Sequence, residues 1–336
     1  MPIVTCAYPR AALVGNPSDG YFGKTIALVF SNFRAEITLW ESPALEILPN
    51  DRDTSVFTSI EQLVDDIHRY GYYGGVRLLK AAIKCFYDYC KAELITLDNR
   101  NFTLRYDTTI PHRLGLAGSS AIITACMRGL MQFYDVIIPK PILANLILSV
   151  EKDELKIGAG LQDRVAQVYQ GLVYMDFDRL IMAKQGYGDY VPLDITRLPK
   201  LYIAYRTDLA EGSEVTHNDL QERYQRGDAD VLDALAQCAE LAAQLRRLLE
   251  AGATEAEIAV LVNRNFDLRK RILNISEGNL RMVDAAKSVG ASANFTGSGG
   301  AIMGTYTDQA KYDALKRTLA GIGVNVIKPK IHLESL

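Results

Sequence analysis

Long apolar runs and basic clusters are both missing from this sequence. No apolar segment approaches the ~20 residues that a membrane-spanning helix needs. The net charge is −3 and no basic run or low-complexity tract occurs, so nucleic acid, which rewards clustered Lys and Arg, is not the expected partner. The first residues also lack the basic and apolar blocks of a signal peptide. We therefore expect a cytoplasmic protein that binds neither nucleic acid nor membrane.

Cysteine and histidine are scarce. The five cysteines are odd in number and most lie in apolar helical patterns, so we expect buried free thiols rather than disulfides or a metal site. The four histidines show no zinc-like spacing. These residues are Cys6, Cys85, Cys90, Cys126 and Cys238, and His68, His112, His217 and His332.

The apolar content is sufficient for more than one hydrophobic core. A chain of 336 residues, 49% of them apolar and 23% charged, exceeds one typical domain. The loop-rich stretch 186–199 contains Pro192 and Pro199, which is typical of a hinge. We therefore predict an N-terminal domain at residues 1–190 and a C-terminal domain at residues 191–336.

A glycine-rich loop near the middle of the chain is the first candidate for a binding site. Residues 102–109 alternate as a strand does, and residues 119–134 have a helical pattern. Glycines allow close backbone approach, and a helix start offers unpaired N–H groups and a positive dipole end. This geometry suits a polyphosphate; an ordinary capped helix after a turn is the alternative. The loop comprises Gly115, Leu116, Ala117, Gly118, Ser119 and Ser120.

A second polar loop, at residues 14–25, lies between strands predicted at 3–13 and 26–39. The short side chains of Asn16 and Asp19 can exchange hydrogen bonds with sugar hydroxyls, and the loop's glycines permit close approach. On composition alone a solvated turn is favoured, and a substrate loop is the alternative.

Two carboxylates follow in the middle of the chain. Glu151 lies near the end of a helix predicted at 142–155, and Asp163 follows a glycine-containing loop. Carboxylates are suitable ligands for Mg²⁺, which takes only one or two from protein when phosphates supply the rest. A second carboxylate can position an acceptor hydroxyl. The alternative for Glu151 is a solvated helix face.

A third glycine-rich segment, 291–304, follows several amphipathic helices. Ile302 occupies the place of the third glycine of a dinucleotide fingerprint, so we reject that interpretation. Gly297, Ser298 and Gly299 form the core of the segment.

Two further groups allow two interpretations each. Tyr70, Tyr72 and Tyr73 could stack on an adenine base or pack at a helix junction. The segment 213–217 could cap a helix or, as its resemblance to a segment of glucuronokinases implies, help to line an acceptor pocket.

Together, the three glycine-containing motifs resemble those of the GHMP kinases. Gly-Leu-Ala-Gly-Ser-Ser-Ala is similar to the second motif of that family, with one additional residue as in its sugar-1-kinase branches. Ala-Tyr-Pro-Arg followed by Val-Gly corresponds to the first motif, and Thr-Gly-Ser-Gly-Gly-Ala to the third. The resemblance implies an α+β, two-domain GHMP kinase fold. Its N-terminal domain would be similar to the second domain of ribosomal protein S5, and its C-terminal domain would be ferredoxin-like.

The same resemblance implies roles for individual residues. Residues 115–120 would bind ATP, and Ser120 with Glu151 would bind Mg²⁺, Glu154 being the alternative carboxylate. Asp163 would orient the acceptor hydroxyl with assistance from Arg10. The implied substrate-binding set is Asn16, Asp19, Tyr21, Lys24, Asp163, Arg164, Gly297, Ser298 and Gly299.

The first loop, Gly-Asn-Pro-Ser-Asp-Gly-Tyr-Phe-Gly-Lys-Thr, and the stretch Gly-Tyr-Tyr-Gly-Gly-Val-Arg-Leu-Leu are similar to segments of glucuronokinases. This implies phosphorylation of D-glucuronate at its anomeric hydroxyl. Kinases of galacturonate, galactose, fucose or arabinose, and a non-catalytic sugar and ATP sensor, are the alternatives. Lys24, Arg113 and Arg164 are candidates to bind the carboxylate of a uronic acid.

Overall fold

The computed structural model describes residues 1–50, 53, 58–60, 62, 63, 74–112, 114–206 and 213–331, with the backbone alone at 213–218. The strands of this part of the chain are β1 (Ile3–Ala7), β2 (Arg10–Val14), β3 (Lys24–Val29), β4 (Ala35–Ser42), β5 (Glu46–Leu48), β6 (Asn101–Thr108), β7 (Leu172–Asp176), β8 (Asp189–Leu193), β9 (Leu201–Tyr205), β10 (Asn294–Phe295), β11 (Ala301–Thr305) and β12 (Asn325–Ile327).

The α-helices are α1 (Gly75–Ala92), α2 (Gly118–Tyr134), α3 (Lys140–Ser149), α4 (Leu161–Tyr169), α5 (Arg179–Gln185), α6 (Ser213–Gln225), α7 (Ala229–Ala251), α8 (Glu255–Ile272), α9 (Glu277–Ser288) and α10 (Gln309–Ala320). A π-helical turn, Val150–Glu154, extends α3. Among the described residues, no helix is long and apolar enough to cross a membrane.

Contacts within the chain define two compact units, each assembled from separate segments. The first unit comprises residues 1–9, 33–112 and 118–159. The second comprises residues 10–32, 113–117 and 160–336. The domain boundary near residue 190 stays a prediction.

The first unit contains one four-stranded sheet in the order β1-β4-β6-β5. Phe102, Leu104 and Tyr106 of β6 share one face of the sheet and are buried, and Thr103 between them is buried as well. Helix α2 packs against β1, where Thr5 donates a hydrogen bond of 2.7 Å to the carbonyl of Ala125. This packing fixes the helix whose N-terminal turn carries Ser119 and Ser120.

The second unit contains two antiparallel four-stranded sheets, β2-β3-β7-β8 and β10-β11-β9-β12. Helix α8 begins with a capping box in which Thr254 and Glu257 satisfy each other's backbone amides. Buried aromatic side chains such as Tyr202 and Phe295 fill the core beside the second sheet. This core supports the third glycine-rich segment.

Two predicted strands are each divided in the structure. The segment 3–13 forms β1 and β2, which part at Pro9, a residue without a backbone N–H for a sheet. The segment 26–39 forms β3 and β4, which part at a turn where the Ser31 amide donates to the carbonyl of Lys330 at 2.7 Å. Apolar periodicity continues across both breaks and therefore does not reveal them.

One part of the predicted hinge is a strand. Residues 189–193, within the loop-rich stretch 186–199, form β8. Strand β8 lies at the edge of its sheet, where a proline such as Pro192 is tolerated because no further strand needs its N–H.

Candidate functional site

Arg10, the first residue of β2, is the central side chain of the site in the second unit. It is 5% exposed. One terminal nitrogen donates to the carboxylate of Asp163, and the other donates to the carbonyls of Thr296 and Gly115, the latter at 3.3 Å. A single guanidinium group thus connects the carboxylate with two glycine-rich loops that lie far apart in sequence.

Asp163 lies in the first turn of α4 between two guanidinium groups. Besides Arg10, Arg164 approaches its second carboxylate oxygen at 3.3 Å. Arg164 is 3% exposed and also donates to the carbonyl of Gly160 at 2.8 Å. Two adjacent cations stabilise the negatively charged form of Asp163. The Asp163 side chain stays 21% exposed and can accept a hydrogen bond from a ligand hydroxyl.

The second and third glycine-rich loops touch through their backbones. Gly115 has φ +62°, and a Cβ atom there would lie 2.9 Å from the amide nitrogen of Ser298. A Cβ atom on Gly297 would collide with the carbonyl oxygen of Gly115. Both positions therefore require glycine for the close approach, as well as for the left-handed conformation at Gly115.

The third loop presents backbone donors. The Gly300 amide donates to the Asn279 side chain at 2.9 Å. The amides of Gly297, Ser298 and Gly299, by contrast, donate to no acceptor in the described part of the chain. Successive unpaired amides in a glycine-rich turn form a concave site for anionic oxygens.

Hydrogen bonds from β2 and α4 hold the loop at 115–117 in place. The Arg10 amide donates to the carbonyl of Leu116 at 3.1 Å, and the side chain of Gln167 donates to the carbonyl of Ala117 at 2.8 Å. Ala117 has φ +61°, an uncommon conformation for a residue with a side chain. The backbone of this loop therefore has a defined conformation, fixed by hydrogen bonds, where it enters α2.

The first loop contributes one residue near Asp163 and one at the third loop. A Cβ atom on Gly160 would lie 3.2 Å from a carboxylate oxygen of Asp19, which places Asp19 beside the start of α4. Asn16 is 4% exposed, and its amide group donates to the carbonyl of Phe295 at 3.1 Å while accepting from Asn294 at 3.2 Å. In this structure the Asn16 side chain therefore holds two chain segments together.

Tyr21 and Lys24, also expected at the substrate, have protein partners. The Tyr21 ring lies 4.6 Å from that of Tyr224, and burial, aided by the Asp19 carboxylate, raises the Tyr21 pKa to about 12. Lys24 forms an ion pair of 2.9 Å with Asp176. The hydrogen bond that Lys24 donates to Asp176 raises the pKa of its ammonium group.

In the first unit, the structure brings a serine and a carboxylate together. Glu151, in the π-helical turn, is 2% exposed and accepts a hydrogen bond of 2.6 Å from the hydroxyl of Ser119. Ser120, next to Ser119, is fully buried. Glu154 instead forms a surface ion pair of 2.7 Å with Lys84. Glu151 rather than Glu154 is thus the carboxylate beside the serines.

This pair of residues fits a magnesium ion chemically. Carboxylate and hydroxyl oxygens are hard ligands, and Mg²⁺ binds through few protein groups when phosphates and water complete its shell. Within the described residues, no group of three or more His, Cys, Asp or Glu side chains could hold a metal ion by itself. The donor set at Glu151 therefore suits a metal that arrives with a polyphosphate.

Sequence reasoning missed Arg269, on α8. It is 3% exposed, and its two terminal nitrogens donate to the carbonyls of Gly297 at 2.6 Å and Phe295 at 3.4 Å. Burial lowers its pKa to about 10, which leaves the guanidinium charged at neutral pH. The sequence does contain an indication of its burial. Position 269 falls on the apolar face of α8 with Val262 and Phe266, where a charged side chain is unusual.

Some expected positions lie outside the described residues. They are Arg113 and the three tyrosines at 70, 72 and 73, and the side chains of 213–217 are likewise not described.

The family model of the GHMP kinases N terminal domain matches residues 77–171. Among known proteins, Glucuronokinase 1 of Arabidopsis thaliana is 43% identical over 303 residues, covering 88% of this chain and 83% of the relative. Probable glucuronokinase 2 of the same plant is 44% identical over 304 residues, covering 88% of this chain and 82% of the relative.

Solved structures share the fold at much lower identity. Mevalonate kinase of Methanococcus jannaschii has a TM-score of 0.72 at 17% identity, over 99% of this chain and 98% of that chain. Galactokinase of Lactococcus lactis, solved with galactose, has a TM-score of 0.72 at 15% identity, over 98% of this chain and 93% of that chain.

Proposed function

This chain belongs to the glucuronokinase family of GHMP kinases, and we propose that it phosphorylates the anomeric hydroxyl of D-glucuronate to give D-glucuronate 1-phosphate. It is an ATP-dependent sugar kinase with the α+β GHMP kinase fold. The observation that carries the proposal is the Arg10 guanidinium, which joins Asp163 to the carbonyls of Gly115 and Thr296.

Asp163 is the group that we propose for the acceptor. Its carboxylate accepts the hydrogen bond of the anomeric hydroxyl and takes the proton as the new oxygen–phosphorus bond forms and the bond to ADP breaks. Phosphoryl transfer proceeds through a loose transition state, so holding the hydroxyl in line contributes more than strong proton abstraction. A carboxylate fixed by Arg10 and Arg164 is suited to that positioning task.

Backbone amides would hold the phosphates. Those of Gly297, Ser298 and Gly299 are unpaired within the described part of the chain, and those of Gly118 and Ser119 begin α2 and likewise donate to none of the described residues. The helix start adds a favourable dipole for anions. The Arg10 guanidinium adds positive charge in the second unit, where the glycine backbones permit close approach.

The proposed magnesium ligands are Ser120 and Glu151, with Ser119 hydrogen-bonded to Glu151. When bound, Mg²⁺ would neutralise charge that develops on the phosphate oxygens. The hydrogen bond from Ser119 orients the Glu151 carboxylate, and burial of the Glu151 side chain limits the access of water to it.

The balance of buried charge supports an acidic acceptor. In the second unit Arg10, Arg164 and Arg269 are all buried, whereas the carboxylates described near them are Asp163 and Asp19. An excess of buried positive charge is unfavourable unless an anion compensates it. The carboxylate of a uronic acid would provide that charge. Arg164 and Lys24 are the described candidates to bind it, and each also forms an ion pair within the chain, with Asp163 and Asp176 respectively.

The first experiment is an assay of ADP release with ATP and Mg²⁺ against glucuronate, galacturonate, glucose, galactose, fucose and arabinose. We expect turnover with glucuronate, and phosphorus NMR of the product should show an anomeric phosphate. Turnover with a neutral sugar alone would support the kinase activity but reject glucuronate as the acceptor. Nucleotide binding without turnover on any sugar would instead favour the sensor.

The role of Arg164 can be tested separately. Arg164→Gln removes the charge while keeping a donor of similar reach. We expect the preference for glucuronate over glucose, measured as the ratio of kcat/KM values, to fall. An unchanged preference would reject Arg164 as the carboxylate-binding residue.

A further inference from the structure

Two arginines hold the third loop through its backbone carbonyl groups, and successive carbonyls accept hydrogen bonds from one arginine and then the other. Arg269 donates to the carbonyls of Phe295 and Gly297, and Arg10 donates to the carbonyl between them, that of Thr296. Three consecutive carbonyl groups are thus engaged by two buried guanidinium groups. Such an arrangement determines the orientation of the peptide planes in this loop.

In a trans peptide the carbonyl and the following N–H point in opposite directions. Among the described residues, the only cis peptide precedes Pro17, so the peptides of this loop are trans. Arg10, by holding the Thr296 carbonyl, therefore turns the Gly297 amide away from itself. Arg269, by holding the Gly297 carbonyl, does the same for the Ser298 amide.

From this geometry we propose that Arg269 is a positioning residue that orients the Ser298 amide toward an anionic oxygen of the bound substrates. The inference rests on the proposed kinase function. Arg269 itself is 3% exposed and both of its terminal nitrogens are engaged by carbonyls, so it acts through the loop and not by contact with a ligand.

Two neighbouring contacts support the role of the Ser298 amide. A Cβ atom on Gly115 would lie 2.9 Å from the Ser298 nitrogen, so the backbone of Gly115 packs closely beside this amide without a side chain. At the other end of the segment, Asn279 accepts from the Gly300 amide at 2.9 Å. The loop is therefore fixed on both sides of the amides of Ser298 and Gly299.

The anionic oxygen has two possible sources, the carboxylate of the acceptor and a phosphate of the nucleotide. Both are oxygen anions that accept from a backbone amide, and both are satisfied by the same donor geometry. Binding of each substrate alone distinguishes them.

The test compares Arg269→Met and Arg269→Lys with Arg271→Met as a matched control. Arg271 lies on the same helix but forms exposed ion pairs with Asp230 and Asp233. Losing a donor that stabilises transition-state charge typically costs ~10²–10³ in kcat, and a misoriented donor should cost less, so we expect Arg269→Met to lower kcat/KM by about 10-fold to 100-fold.

Lysine keeps the charge but cannot form the planar fork that engages two carbonyls. We therefore expect Arg269→Lys to lose less activity than Arg269→Met while its thermal midpoint stays close to that of the unmodified protein. If Arg269→Met fails to fold, the kcat/KM of Arg269→Lys alone tests the proposal. The control should retain unmodified kinetics.

Dissociation constants for glucuronate alone and for a non-hydrolysable ATP analogue with Mg²⁺ alone complete the experiment. Selective weakening of glucuronate identifies its carboxylate as the partner, whereas weakening of the analogue, or a loss of kcat alone, identifies a phosphate. The proposal is overturned if both variants match the unmodified protein, or if their losses equal the loss of folded protein. Failure of the kinase proposal would differ, because the unmodified protein would itself be inactive on every sugar.

Discussion

Gly115 and Gly297 are in direct backbone contact although they lie 182 positions apart in the sequence. A Cβ atom on Gly297 would lie 2.9 Å from the Cα of Gly115 and closer still to its carbonyl oxygen. The same carbonyl accepts from Arg10, so the contact is part of the hydrogen-bonded network at Asp163. A side chain at either position would separate the two loops.

Gly297→Ala should therefore impair both stability and catalysis. The neighbouring atoms are backbone, which yields little, and overpacking of this kind costs on the order of 1–3 kcal/mol in free energy of unfolding. We expect a lower denaturation midpoint and a lower kcat/KM. Gly158→Ala is the control, because a Cβ atom there would have no neighbour within 4 Å. Equal behaviour of the two variants would contradict the steric argument.

Asp163→Asn should abolish most of the turnover per folded molecule and also lower the free energy of unfolding, because it removes the carboxylate beside two buried guanidinium groups. Asparagine keeps the shape of the side chain but removes the charge that pairs with Arg10 and Arg164. If Asp163 acts as the positioned base, kcat should fall ~10²–10⁴-fold. Asp189→Asn, at an exposed position in the second unit, should have no effect. A nearly normal rate for Asp163→Asn would reject the proposed catalytic role of this residue.

Glu151→Gln should raise the Mg²⁺ concentration needed for half-maximal activity. Glutamine still accepts the hydrogen bond from Ser119, so the local structure is retained while the negative charge is lost. The effect should be at least ~10-fold, since even partners outside the metal's own ligands contribute ~10–100-fold in affinity. Asp153→Asn, an exposed change in the same turn, serves as the control. An unaltered magnesium requirement for Glu151→Gln would rule out the proposed metal site.

The buried cysteines should resist labelling in the folded protein. Burial raises the pKa of the Cys126 and Cys238 thiols from the ordinary value of 9.0 to about 12, and the thiolate is the reactive form. Ellman's reagent at pH 8 should modify the half-buried Cys6 and Cys85 first and the buried Cys126 and Cys238 only on unfolding. Rapid labelling of Cys126 under native conditions would contradict its burial.

The same shifts predict how stability depends on alkaline pH. Between pH 9 and about 12, the unfolded chain releases thiol protons that the folded chain retains. The folded state binds more protons in this window, so the free energy of unfolding falls as the pH rises. Cys126→Ala should flatten this decline in chemical denaturation measured across that range.

Local features of the fold were predictable because they depend on neighbouring residues. The helix predicted at 119–134 is confirmed as α2, and the strand predicted at 201–205 coincides with β9. The division of 26–39 was not predictable, since β3 and β4 belong to different units and only long-range hydrogen bonds, such as that from Ser31 to Lys330, mark the turn.

The candidate site shows the same limit. The family resemblance supplied Arg10 and Asp163 as functional residues, but no pattern in the sequence indicates that they form an ion pair. The hydroxyl beside Glu151 belongs to Ser119, whereas the sequence favoured Ser120 for the metal, and that role of Ser120 stays a prediction. Arg269 was missed because an arginine on an apolar helix face is seen as functional only when its carbonyl partners are known.

The segmented construction of the second unit bears on how a growing chain acquires it. Arg10 is synthesised early, yet its acceptors come from Gly115, Asp163 and Thr296. On a ribosome the full set of these acceptors is present only when nearly 300 residues have emerged, whereas every residue of the first unit precedes residue 160. The first unit can therefore begin to fold during translation, and the charged interior of the second closes only near its completion.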